Sequence, residues 1–167
     1  MATFQKIPYY DLQLEHAKGR LKRVIGRKDD IQRLTRIISR SIQNNCLIVG
    51  KSGIGKTALI HGLAGHIVQK KQQNNAHCLQ LKPEGFYTLG NQNSPTSSYR
   101  EALHQLPSSI IFIDDFGALV HNNVTLFDHL MYILKSTVER PDVQLVLTLE
   151  PYELAWIEEE YTGWLNS

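Results

Sequence analysis

Apolar positions along this chain recur with two different periods. From Asp29 onward Ile31, Leu34, Ile37, Ile38 and Ile42 fall at three- and four-residue steps, the spacing that gathers side chains on one face of a helix. Asp29 and Asp30 suit that helix's first turn, where acidic side chains meet its positive end. Cys46–Val49 is a short continuous apolar run ending at Gly50, which predicts a strand buried on both faces. From Lys56 to about Gln73 the helical spacing returns. Leu59, Ile60, Leu63, Ala64, Ile67 and Val68 form one broad stripe. Ala76–Leu81 alternates weakly and predicts a second strand. Tyr99, Ala102, Leu103 and Leu106 fit a short helix, Ile110–Ile113 a third buried strand, Thr125–Val138 an amphipathic helix, Val143–Thr148 a fourth strand and Glu153–Glu160 a last helix.

The segments between these runs break the pattern. Residues 1–27 are mixed, and Pro8, Tyr9 and Tyr10 point to an irregular arm, with a short helix over Leu12, Leu14 and Ala17 before Gly19. Residues 82–97 carry Pro83, Gly85, Gly90, Asn91, Asn93 and Pro95, so a loop is expected. Strands alternating with helices imply an α/β fold: a parallel sheet with helices on both faces.

Composition narrows the class. With 167 residues the length fits one domain, and an apolar share of 42% excludes disorder along the whole chain. No apolar run approaches the ~18 residues of a membrane helix, and MATFQKIPYY has no secretory h-region. Cys46 and Cys78 fit neither a zinc spacing nor a disulfide framework, so a reduced, cytoplasmic setting is expected. The seven histidines include no zinc-binding helical pair, and Trp156 and Trp164 are expected to pack the last helix. A net charge of +2 makes no case for nucleic acid, but its distribution is uneven. Nine Lys or Arg lie between Lys18 and Arg40. Pro141–Ser167 has none, against six acids. Two solvated faces of opposite sign is the plain reading; a head-to-tail contact between copies, closing into a homo-oligomer, is the sharper one.

One segment carries chemistry outright. Gly50-Lys-Ser-Gly-Ile-Gly55-Lys56-Thr57 matches G-x-x-x-x-G-K-[ST], after an apolar strand and before an amphipathic helix. Glycines at 50, 53 and 55 let the backbone curl so that several N–H groups face one anion, and the helix's positive end adds to the field. Gly50, Ser52, Gly53, Ile54, Gly55, Lys56, Thr57 and Ala58 are therefore candidate nucleotide-binding residues. Lys56 would reach the β- and γ-phosphates of ATP or ADP, and the Thr57 hydroxyl would ligate Mg²⁺. Asp114 and Asp115 end the third buried strand. At the carboxyl end of a parallel strand they would face the ligand crevice. Asp114 is the candidate Mg²⁺ holder and Asp115 the group that orients or deprotonates water.

These motifs lie in a longer stretch. Gly19-Arg-Leu-Lys-Arg-Val24-Ile25-Gly26-Arg27, Asn44-Asn45, the phosphate loop with Ala58 to Ala64, Ser98-Tyr99-Arg100-Glu101, Ile110–Asp115 and Leu147-Thr148-Leu149-Glu150-Pro151-Tyr152 together resemble the first AAA+ module of the Clp/Hsp100 unfoldases. The resemblance implies a P-loop NTPase (AAA+) core over residues 19–167, with 1–18 as an N-terminal arm. It implies adenine contacts at Val24 and Ile25 and a polar γ-phosphate sensor at Thr148. Tyr99 is the nearest match to the family's substrate-gripping aromatic, though its spacing with Leu103 and Leu106 suits packing. The implied function is an ATP–Mg²⁺-binding module of a machine that remodels protein substrates.

The chain also departs from the family pattern. The second acid is Asp115 where the family has Glu, and the stretch after Thr148 lacks the family's paired arginines. No residues remain for a fifth core strand or a helical lid, so the expected core is incomplete. Hydrolysis by this chain is therefore expected to be slow or absent. A nucleotide-binding adaptor with little turnover is one alternative, and a helicase-loader-like ATPase, suggested by Asp-Asp and the basic first third, is another.

Overall fold

The computed structural model describes residues 9–70, 76–81, 103, 106–119 and 124–161, the side chains of 124, 126, 129, 133 and 136 excepted. β1 (Tyr9–Asp11) leads directly into α1 (Leu12–Ala17), because the Asp11 carboxylate accepts from the N–H groups of Gln13 and Leu14 and caps the helix. α2 (Lys28–Ile38) carries Asp29 and Asp30 in its first turn, buries Leu34 and Ile38, and stops at Ser39. It is shorter than the apolar spacing predicts: Ile42 lies beyond it and is exposed.

β2 (Cys46–Val49) runs through the phosphate-loop sequence into α3 (Lys56–Lys70). β3 (His77–Leu81), β4 (Ser109–Ile113), α4 (Val124–Val138), β5 (Val143–Leu149) and α5 (Pro151–Glu160) follow. α5 starts two residues earlier than expected, with Pro151 at its first position and Glu153 Oε2 accepting from the Glu150 N–H at 2.7 Å. The expected helix at 99–106, Tyr99 with it, the loop at 82–97 and Trp164 lie outside the described residues apart from Leu103 and Leu106.

The sheet order is β1-β3-β4-β5-β2. β3, β4, β5 and β2 pair in parallel, whereas β1 pairs antiparallel with β3, Tyr9 opposite Leu81. The sheet is thus mixed, and Tyr9–Asp11 is a strand where an irregular arm was expected. Three residues are too few for an alternation to show in sequence. Side chains of β4 alternate between faces. Ile110 and Phe112 join Leu12, Leu34, Leu59 and Leu63 from α1, α2 and α3; Ile111 and Ile113 join Phe127, Leu134 and Ile157 from α4 and α5. Helices therefore cover both faces, and β4 is wholly buried. β2 is not. Leu47 and Ile48 are half-buried and Val49 is exposed, because among the described residues β2 pairs only with β5 and lies at the sheet's edge.

Candidate functional site

The strand order decides which sequence-distant residues meet. β4, β5 and β2 are adjacent and parallel, with Ile113 beside Leu147 and Val49 beside Leu149. Their carboxyl ends therefore deliver Asp114, Thr148 and Gly50 to one edge of the sheet, where ligands bind in open α/β folds.

Gly53 and Gly55 hold φ of +80° and +92°. L side chains are disfavoured there, so these two glycines permit the turn of the loop. Ser52, Gly53 and Ile54 are exposed, and Ala58 is half-buried in α3. Lys56 is 6% exposed, and its Nζ donates to the carbonyls of Gly50 at 2.8 Å and Lys51 at 3.2 Å. The cation is thus folded into the concavity of its own loop. Arg27 braces the loop from outside. One guanidinium nitrogen donates to the Ile54 carbonyl at 2.8 Å and the other pairs with Asp30 at 3.0 Å. A cavity of about 340 Å³ opens between α2 and β2, its wall including Arg27, Val49, Ile54, Gly55 and Lys56.

The acid pair is held by hydroxyls. Thr57 Oγ1 donates to Asp114 Oδ2 at 2.5 Å, and Thr148 Oγ1 donates to Asp114 Oδ1 at 2.7 Å. Thr148 is fully buried, and its hydroxyl also accepts the Asp115 N–H at 2.8 Å. The Phe116 N–H continues the ladder to the Thr148 carbonyl. Asp115 sits at φ +50° and is exposed. Desolvation, then the neighbouring Asp114 carboxylate and Glu150, push its pKa above the ordinary carboxylate value, while Lys56 pulls the other way. Thr57 and Asp114 present hard oxygen donors side by side. That donor set fits Mg²⁺, which takes oxygen ligands and retains waters. Among the described residues no group of three His, Cys, Asp or Glu could hold a metal alone; Mg²⁺ at a nucleotide needs only one or two protein carboxylates beside phosphate oxygens.

Lys56, Thr57, Asp114, Asp115 and Thr148 are thus brought together as the sequence suggested. Val24 and Ile25 lie on a separate segment against α3, with Val24 half-buried and Ile25 84% exposed. The brace from Arg27 to Ile54 was not foreseen, nor was the closeness of Gly117 to Glu153. A Cβ on Gly117 would overlap the Glu153 carboxylate, so a larger residue there would displace the Glu153 side chain that caps α5. Neither contact has a sequence signal, because both join segments through space.

Residues 46–149 match the family described as ATPase family associated with various cellular activities (AAA). The chain belongs to the AAA family. Over 71 residues it is 44% identical to the chaperone protein ClpB of Bacillus cereus, which covers 41% of this chain and 8% of that protein. Over 89 residues it is 44% identical to ClpB of Nitratidesulfovibrio vulgaris, covering 52% of this chain and 10% of the relative. The chain therefore matches about a tenth or less of these relatives' length. Among solved structures, Hsp104 with ATPyS and FITC casein in a closed state is similar at a TM-score of 0.82, with 24% identity over 98% of this chain and 30% of that one. The S. cerevisiae Hsp104–ADP complex is similar at 0.76, with 24% identity over 94% of this chain and 23% of that one. The structural likeness shows the AAA fold, and with the ClpB similarity it supports a Clp/Hsp100 AAA+ module.

Proposed function

We propose that this AAA module binds ATP or ADP with Mg²⁺ at the Gly50–Thr57 loop and hydrolyses ATP slowly, as part of a Clp/Hsp100-like protein-remodelling machine. The observation that carries the reading is the bonded run Thr57–Asp114–Thr148 beside the buried Lys56. It supplies a phosphate-binding cation, two oxygen donors and a second acid at one strand edge. When bound, Mg²⁺ would be held by Thr57 and Asp114 and would neutralise phosphate charge.

The chain's own groups divide the remaining work. On nucleotide entry Lys56 exchanges the Gly50 and Lys51 carbonyls for phosphate oxygens, a charge-assisted contact stronger than the one it leaves. The loop N–H groups cradle the phosphates. Thr148 fixes both acids, donating to Asp114 and accepting from the Asp115 backbone. Asp115 orients the attacking water at the γ-phosphate and takes its proton. Two features keep that step slow. Asp115 is one methylene shorter than Glu, and Pro141–Ser167 contains no arginine to set against developing charge. An arginine finger contributes about 10³–10⁵ in rate where measured.

Protein substrates and a head-to-tail homo-oligomer belong to the same reading, supported by the casein-containing Hsp104 relatives and the opposite charges at the two ends of the sequence. So does a cytoplasmic setting, in keeping with the two free, buried cysteines. Among the described residues no helix is long and apolar enough to cross a membrane.

A steady-state phosphate-release assay tests turnover. The expected rate lies far below the roughly 10 s⁻¹ median of enzymes. Several turnovers per second, abolished by Asp115→Asn, would contradict slow hydrolysis and make the chain a competent ATPase.

A further inference from the structure

Val24 and Ile25, the adenine contacts that the family resemblance implies, belong to a segment with little regular structure of its own. Residues 18–27 contain no helix or strand, and Gly26 turns at φ +74°. Such a segment can present a fixed surface to a base only if something else holds it. The middle of α3 does so through two unrelated contacts. His61 Nδ1 accepts the backbone N–H of Lys22 at 3.0 Å. One residue on, Gly62 receives Val24: a Cβ there would lie 2.7 Å from Val24 Cγ2, 3.2 Å from Val24 Cβ and 2.9 Å from Ile31 Cδ1.

Each contact specifies its residue type. An acceptor at Nδ1 requires a neutral ring carrying its proton on Nε2. Burial lowers the His61 pKa from its ordinary value; a Gln80 side-chain bond opposes this, Lys22 adds to the lowering and Asp114 opposes it. The neutral form is therefore the one present at neutral pH. At Gly62 the obstacle to a larger residue is Val24 itself. Ile31 Cδ1 is a chain end and can swing aside, but Val is β-branched and restricted at χ1, so a methyl on residue 62 displaces Val24. His61 and Gly62 follow the phosphate loop on the same helix, but the contacts described here reach Lys22, Val24 and Ile31.

We propose that the His61–Gly62 step of α3 is a positioning socket for the base-binding segment Lys22–Ile25, so that affinity for the adenine end of the nucleotide, and not for its phosphates, depends on it. This rests on the nucleotide-binding reading above and assigns to it two residues that act through Val24 rather than on the ligand.

The test is calorimetry of the 167-residue chain with ADP and, separately, with inorganic tripolyphosphate, both with Mg²⁺. His61→Ala and Gly62→Ala should each weaken ADP by about tenfold, the size of one lost hydrogen bond or one displaced contact, and leave tripolyphosphate unchanged. His61→Asn should restore ADP binding, because its Oδ1 can accept where Nδ1 did. Retained tripolyphosphate binding also shows that each variant is folded at the loop. The socket is overturned if ADP affinity is unchanged in both Ala variants, if ADP and tripolyphosphate fall together, or if His61→Asn binds as poorly as His61→Ala. Failure of the unaltered chain to bind ADP would overturn the nucleotide reading and the socket with it, a result distinct from any variant-specific loss.

Discussion

Thr148 shows what the site asks of a single residue. Its hydroxyl is buried and bonded in both directions, donating to Asp114 and accepting from the Asp115 N–H. Thr148→Val keeps the shape and removes the oxygen, leaving a carboxylate oxygen and an N–H without that partner. Such a loss costs about 1–3 kcal/mol, so urea unfolding should show destabilisation of that order, with Thr148→Ser close to the parent. The cysteines give a second residue-level expectation. Burial pushes the Cys78 thiol up to about 12 and the Cys46 thiol up to about 11 from 9.0. Above pH 9 the unfolded chain therefore loses thiol protons that the folded chain keeps. Stability should be complete below that pH and fall as pH rises toward 11. Melting temperatures from pH 7 to 10.5 check this, and Cys46→Ala/Cys78→Ala should flatten the alkaline slope. The types and spacing of Lys56, Thr57 and Asp114 made them legible in sequence. Arg27, His61 and Gly117 were not legible as site residues, because their contacts reach Ile54, Lys22 and Glu153 through the fold.

At the scale of elements, β4 organises the molecule. All five of its residues are buried, and it feeds both cores from alternate positions. Phe112→Ala should therefore cost about 3–5 kcal/mol, read as a lower denaturation midpoint at unchanged slope. A shift below about 1 kcal/mol would mean that the α3-side core closes around the gap. Most elements could be read from periodicity, because four to six apolar positions repeat at one spacing. The exceptions have physical causes. Tyr9–Asp11 is too short to show alternation. α2 ends before Ile42, where the chain turns toward Gln43 at φ +52° and the apolar residue is left in water. Cys46–Val49 has the composition of a central strand but an edge position, and composition reports apolar character rather than the number of neighbours.

For the whole molecule, strand order does what no local pattern could: it seats β5 between β2 and β4 and so brings Thr148 between the phosphate loop and the acid pair. The charge asymmetry belongs to this scale too. Arg33, Arg36 and Arg40 are exposed near one end of the sequence, and Glu158, Glu159 and Glu160 near the other. Attraction between exposed charges is screened over about 8 Å at physiological ionic strength. Self-association should therefore appear by light scattering at low salt and weaken at high salt; an unchanged monomer at low salt would leave only two solvated faces. The central claim, however, is nucleotide binding at Lys56. Titrating ATP with Mg²⁺ into the chain and into Lys56→Ala by calorimetry tests it most directly. A saturable heat from the parent chain that is lost or severely weakened in Lys56→Ala is the predicted result, and equal affinity in the two proteins would contradict it.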